Sequence, residues 1–305
     1  MTISLDLPRH TDDTDVYYRR YAGLPTVDFF RQAVHPPGEV AWELGCDDLD
    51  DFFDAVDPAQ VRALVVGGWD ADADAVVERL VAEAHRLPAL RALFFGAIPQ
   101  EALEISWINQ TDVTPLLTAF PDLERLETRG GMGLRLSPVR HERLRMLRAE
   151  SGGLDGDFVR GVAACRFPAL EHLELWLGVE EYGGDYTVDD LAPILSGDHL
   201  PALKHLGLQD SDRQDDVAAA VATAPIVARL DGLALSMGTL TDDGAEALLS
   251  GQPLTHLRRL DLHHHYLSDA MMARLRAALG SVDLDLEAQG DPDEFDGWLF
   301  TSVNE

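Results

Sequence analysis

The chain has 305 residues, with 24 Lys and Arg against 54 Asp and Glu, for a formal charge of −30 with histidine neutral. A surface of that sign repels phosphate backbones and anionic lipid, which counts against nucleic-acid and membrane partners and favours a protein partner with a basic surface. The two cysteines, Cys46 and Cys165, are too few and too far apart for a disulfide framework or a zinc set, so both are expected to be reduced and structural.

The first segment, MTISLDLPRHTDDTD, has no positive start followed by an apolar run, and no window is apolar over the roughly 20 residues needed to cross a bilayer. A cytoplasmic location is therefore expected. Residues 1–57 carry 13 acids and 4 bases and show no leucine frame. Leu24–Phe30 and Val40–Leu44 alternate like strands on either side of the turn-forming HPPGE, and a short helix fits around Asp50–Val56. The expectation is an N-terminal cap made of a hairpin and a helix, since the apolar end of a repeat stack has to be covered.

From residue 58 an L-x-x-L-x-L frame recurs. Its first anchors are Val61, Leu90, Leu123, Leu144, Leu170, Leu203, Leu230 and Leu257, spaced by 29, 33, 21, 26, 33, 27 and 27 residues. The copies at Leu123 and Leu144 are weaker, with Thr128 and Ala149 in the third slot. A further strand at Val282, Leu284 and Leu286 follows the frame only loosely. Between the strands lie helical stretches with start signals: Thr114 before Pro115, Thr187 with Asp190, Thr241, and Ser268. The spacing of 21 falls on RGGMGLRL, read as an irregular crossover in place of a helix.

Period two along each strand turns the three frame residues inward and the residues between them to the other face. A helix is about 10 Å wide and strands sit about 5 Å apart, so a stack of strand–helix units must curve with its strands inside. The expected fold is α/β: a solenoid of about eight repeats over residues 58–286, shaped as a horseshoe, with a parallel β-sheet on the concave face and helices on the convex face. Residues 287–305 form an acidic tail or cap, whose Trp298, Leu299 and Phe300 suggest docking on the last repeat.

The run LALSMGTLTDDGAEALL resembles the ribonuclease-inhibitor-like subgroup of leucine-rich repeats, in which the leucine frame leads through a turn into a helix. The segments EISWINQTDVTPLLTAFPDLERL and LEHLELWLGVEEYGG resemble a bacterial, actinobacterial leucine-rich-repeat family that implies no established activity. One departure stands out. The turn slot that holds Asn or Cys in such repeats is occupied here by Trp69, Ile98, Gly131, Gly152, Gly178, Ser211, Gly238 and His265, so turn geometry is expected to come from glycine and water.

No phosphate-binding loop, calcium loop or nucleophile elbow is visible, and neither a cofactor nor a metal is expected. His263, His264 and His265 should point in different directions, and Asp261 with His263, near His205, supports only an alternative reading as a metal-binding protein or small hydrolase. A structural scaffold of a larger complex is a second alternative. The first reading is a non-enzymatic protein-interaction module. Its expected contact residues are Arg125, Glu127, Arg148, His172, Glu174, Trp176 and His205 on the concave face, with Trp107, Tyr182 and Tyr186 on a rim built from the two long insertions.

Overall fold

The frame leucines fall into register across one sheet. In the computed structural model, which describes residues 3–4, 19–31, 35–68, 73–293 and 296–303, twelve strands lie in sequence order. They are β1 (Arg20–Tyr21), β2 (Leu24–Asp28), β3 (Ala41–Gly45), β4 (Ala63–Gly67), β5 (Ala92–Phe95), β6 (Arg125–Arg129), β7 (Met146–Glu150), β8 (His172–Gly178), β9 (His205–Ser211), β10 (Gly232–Ala234), β11 (Arg259–Asp261) and β12 (Asp283–Asp285). Only β1 with β2 is antiparallel; every later neighbour is parallel. One continuous row runs Trp42, Leu64, Leu93, Leu126, Leu147, Leu173, Leu206, Leu233, Leu260 and Leu284.

Among the described residues, eight α-helices cover the frame side: α1 (Leu49–Ala55), α2 (Ala73–Ala82), α3 (Thr114–Ala119), α4 (Gly156–Ala164), α5 (Ala192–Ser196), α6 (Gln214–Ala222), α7 (Asp242–Ser250) and α8 (Asp269–Ala278). Their apolar stripes, for example Val76, Val77 and Leu80 of α2, join the frame leucines in one buried core. No helix among the described residues is long and apolar enough to cross a membrane.

Several helix starts are set by side chains that satisfy the orphan amide groups of the first turn. Thr241 accepts from Asp243 N and Ser268 from Met271 N, while Thr187 and Asp190 form a reciprocal capping box before the 3-10 turn at Val188–Leu191. Thr114 behaves differently. It is the first residue of α3 rather than its cap, and the carboxylate of Asp112 accepts its amide at 2.9 Å.

Three expectations are corrected. Leu24–Asp28 and Ala41–Gly45 form no hairpin; they are parallel neighbours with Val27 opposite Trp42, so the parallel sheet starts well before residue 58. The hairpin involves β1 and β2, where Tyr21 pairs with Leu24. The strand at Asp283–Asp285 is in full register with β11, Leu284 opposite Leu260. Glycine also does not make all the turns. It takes positive φ at Gly96, Gly130 and Gly178, but from the end of β9 to the turn after β12 the left-handed residues are Asp210, Met237, His264 and Ala288, with φ of 57°, 68°, 53° and 57°. His265 then stands in for the missing Asn: its Nδ1 accepts the Leu267 amide at 3.1 Å and its Nε2 lies 3.3 Å from Leu286 O. Trp69, another of those turn slots, lies outside the described residues. Between β6 and β7 no α-helix occurs among the described residues, and isolated parallel bridges, Asn109 with Met132 and Asp112 with Arg135, carry that crossover.

Cys165 is buried, where loss of hydration pushes its thiol up to about 11, while Cys46 donates to Gly68 O at 3.0 Å.

Candidate functional site

Alternation places the residues between frame positions on the sheet face opposite the helices. That face was expected to be open. Instead the chain closes most of it with three of its own segments.

Over β3, β4 and β5, the side chains Ala41, Ala63, Val65, Ala92 and Phe94 form a second apolar cluster with Ile3, Tyr21 and Leu24. Ser4 N donates to Ala22 O at 3.2 Å, and Ser4 O accepts from Arg125 Nη1 at 2.8 Å, which ties the first described residues to the middle of the sheet. The second cover comes from the insertion after β5. Its 3-10 turn, Ile105–Trp107, places Ile105 against Trp176 and Met237. The third is the C-terminal segment, which supplies Val303 to the same cluster.

Beneath these covers lies a chain of buried charges on β6, β7 and β8. Arg125 Nε bonds Glu127 Oε1 at 2.6 Å, Arg129 Nη1 bonds Glu150 Oε2 at 2.6 Å, and Arg148 Nε bonds Glu174 Oε1 at 2.8 Å. Arg148 Nη1 also reaches Glu127 and Glu150. Trp176 Nε1 donates to Glu174 Oε1 at 3.2 Å, and the Arg148 guanidinium lies 5.0 Å from the centre of the Trp176 ring. Three arginines face three glutamates, so the network is neutral as a unit. Charges removed from water require such pairing, because desolvation of each ion costs several kcal/mol that Coulomb attraction must offset. Burial alone would raise the pKa of Glu174, but the Arg148 charge and the His172 hydrogen bond hold it well below the usual carboxylate range. For Glu150 burial prevails over Arg148 and Arg129, and its pKa is raised.

The expected contact residues are therefore corrected for exposure. Arg125, Glu127, Arg148, Glu174 and Trp176 are brought together as foreseen, but as a covered interior; Arg148 and Trp176 are both 0% exposed. Tyr186 is no lip either. Its ring is in the helix-side core and its hydroxyl bonds Ser211 Oγ at 2.6 Å. Tyr182 is half-buried, and Trp107, at 56% exposed, does stand on the rim. Met132, at 47% exposed, is bridged to Asn109, two residues further along the same insertion.

At the edge of the covered face, His172 and His205 stack with ring centres 4.1 Å apart and planes at 14°. One donor atom each from His172, Glu174 and His205 fall within 4.8 Å of one another, a set that could hold a metal ion. Nearly parallel rings, however, send their in-plane lone pairs side by side rather than to one point. Glu174 is also already committed to Arg148, Trp176 and His172. His205 is pushed down to about 3, by burial first and by His172 second.

The Asp261–His263 pair is real, with Nδ1 2.7 Å from Oδ1, and both side chains are buried. Burial opposes ionisation of Asp261, but the hydrogen bond and charge of His263 outweigh it and lower its pKa. Arg259 Nη2 bonds the other carboxylate oxygen of Asp261 at 2.9 Å and also reaches Asp285 at 3.3 Å, so this cluster is paired within the sheet. The three adjacent histidines diverge: His263 to the sheet face, His265 into the turn, and His264 toward Phe300 O, 3.0 Å from its Nε2.

The residues missed from the sequence are the ones that hold the C-terminal cover. Ser302 N donates to Met237 O at 2.7 Å, and Val303 N donates to Asp210 Oδ1 at 2.9 Å. The Tyr266 hydroxyl donates to Phe300 O at 3.1 Å and accepts from Phe300 N at 3.0 Å. Residues 300–303 thus run back from β11 to β9 rather than capping the last strand. Trp298 and Phe300 remain 72% and 42% exposed. No sequence signal marked them; Asp210, Met237 and His264 share a left-handed turn position, 27 residues apart each time, that shows only in the backbone.

No family model matches the chain, and no curated protein matches it. Among solved structures it is similar to a Bacteroides fragilis protein determined in a structural genomics programme, with a TM-score of 0.80 and 28% identity over 88% of this chain and 78% of that one. A much weaker likeness is to an internalin from Listeria monocytogenes, with a TM-score of 0.37 and 15% identity over 74% of this chain and 54% of that one.

Proposed function

We propose that the chain is a non-enzymatic protein-interaction module, built as a leucine-rich-repeat solenoid of the ribonuclease-inhibitor-like kind with about eight repeats curved into a horseshoe. The observation that carries this reading is the position of the large apolar side chains left in solvent. Trp107 lies in the insertion after β5 and Met132 in the crossover after β6, two segments joined by the Asn109–Met132 bridge, and Trp298 and Phe300 stand on the C-terminal cover. Exposed aromatic and methionine side chains cost hydration free energy and are enriched where proteins meet partners. The buried network from Arg125 to Glu174 serves this rim as a rigid support, since the Ile105 turn that precedes Trp107 packs onto Trp176. Tyr182, His172 and His205 are the other expected contact residues that keep access to solvent.

The formal charge of −30 favours a partner with a basic surface and slows encounter with nucleic acid or anionic lipid. A cytoplasmic setting belongs to the same reading. Affinity capture with the wild-type chain and with a Trp107→Ser, Met132→Ser double variant tests it, because both side chains are exposed and their loss leaves the fold intact. A partner retained by the wild type and lost by the variant is expected; equal recovery by both would remove the rim.

A further inference from the structure

We propose that the left-handed positions at the C-terminal ends of β9, β10 and β11 form a peptide-binding track, held in cis by residues 300–303 and able to accept an extended segment of a partner with the same chemistry. It rests on the interaction-module reading and names where such a partner segment would lie.

Three successive turns each give the C-terminal segment one polar contact. His264 Nε2 lies 3.0 Å from Phe300 O, Met237 O accepts the Ser302 amide at 2.7 Å, and Asp210 Oδ1 accepts the Val303 amide at 2.9 Å. All three turn residues hold positive φ, a conformation that side chains other than glycine's rarely adopt. The same left-handed conformation at Ala288 and at Gly96, Gly130 and Gly178 makes it a property of the repeat's turn, which here presents the Asp210 carboxyl, the Met237 carbonyl and the His264 ring to the segment. Recognition through main-chain groups is the mode by which an extended peptide is read with little regard to its sequence.

Selectivity comes from two features at the end of the track. Val303 packs into the cluster of Ile105, Trp176 and Met237, a site shaped for a β-branched aliphatic side chain. Asp210 is fully buried, and its Oδ2 has no partner among the described residues. An acceptor on the incoming segment would satisfy the protonated carboxyl, whereas the present segment does not.

The cover is also poorly fitted for permanent closure. Its two aromatic side chains, Trp298 and Phe300, face solvent. Between Gly290, Pro292, Gly297 and Leu299 on one side and the turns at Thr241–Asp243 and Tyr266–Ser268 on the other lies a pocket of about 530 Å³. The segment spans this gap instead of packing into it. Its hold therefore depends on a high effective concentration, which tethering supplies and cutting removes.

The test uses the full chain with a protease site placed at Asp293, cut after folding, and a labelled peptide of residues 297–305 as the probe. The cut protein is expected to bind the peptide saturably, at least tenfold more tightly than the uncut protein. A peptide carrying Val303→Asp should lose at least tenfold, and this arm needs no change to the protein. Absence of binding to the cut chain, equal binding by the uncut chain, or equal binding of the Val303→Asp peptide would each overturn the proposal. So would a dimer of the uncut chain formed by exchange of its C-terminal segments. Capture through Trp107 and Met132 is read separately, so either result can fail without the other.

Discussion

Arg148 and Glu174, on adjacent parallel strands, bond at 2.8 Å with neither side chain more than 5% exposed. The Arg148 guanidinium is shared among Glu127, Glu150 and Glu174, which makes it the centre of the charged network. Its loss would leave three buried carboxylates short of a cation. Arg148→Ala is expected to cost about 3–5 kcal/mol of unfolding free energy, the range for breaking one side of a buried ion pair. Urea denaturation measures this, and a loss under about 1 kcal/mol would mean that the network is not sealed from water.

Three histidines make stability depend on pH in one direction. His205 is pushed to about 3 by burial and then by His172, and burial also lowers His141 and His265, all from an ordinary value of 6.5. Below 6.5 the unfolded chain takes up protons that the folded chain refuses. Their contribution is thus fully present above that pH and is lost as pH falls, down to about 3 for His205. The limiting slope is about 1.4 kcal/mol per pH unit for each group. His205 is only half-buried, so its share is smaller. Urea midpoints should fall between pH 7 and 5, and His205→Gln should flatten that fall; identical slopes in the two proteins would refute the assignment.

Asp210 has the opposite sign. Burial raises its pKa well above the usual carboxylate value, against the pull of the Val303 amide. The folded protein then holds a proton that the unfolded chain has already released, so this group destabilises as pH rises from the unfolded value of 3.8 through the raised folded one. Asp210→Asn keeps the acceptor for Val303 and removes the penalty. A higher thermal midpoint at pH 7 is expected, with a weaker decline toward alkaline pH; a lower midpoint would count against a protonated Asp210.

Gly178 and Gly297 separate space from backbone strain. Both have positive φ, 69° and 87°, but a Cβ on Gly178 would sit 2.1 Å from Gly152 O whereas one on Gly297 meets nothing within 4 Å. Left-handed strain alone is worth about 1–2 kcal/mol. Gly178→Ala should therefore destabilise clearly more than Gly297→Ala in thermal melts, and equal effects would show that the loop at Gly152 can move aside freely.

The His172–Glu174–His205 set predicts a negative result. Stacked rings and a carboxylate already shared with Arg148 and Trp176 leave no convergent lone pairs. A chelator should leave the thermal midpoint unchanged, and a midpoint that rises with added zinc would reverse this assignment.

The sequence by itself determined the strand row from Leu64 to Leu260, the placement of the helices between those strands, and the caps at Thr187, Thr241 and Ser268, because period two, period 3.6 and capping are local properties of the chain. It also showed which residues share the face opposite the helices. Only the tertiary structure decided what becomes of that face. Whether Trp176 meets water depends on Ile105 and Val303, and whether Val65 and Phe94 do depends on Ile3, all from distant parts of the chain. The hairpin expected from Leu24–Phe30 and Val40–Leu44 proved to be a parallel pair for the same reason, since an isolated strand carries no mark of the neighbour it will join. Asp210, Met237 and His264 have unremarkable identities in the sequence; their left-handed backbone becomes informative once the C-terminal segment lies across them. Repeats specify their nearest neighbours, and a cover that crosses several repeats is a long-range contact that no local period encodes.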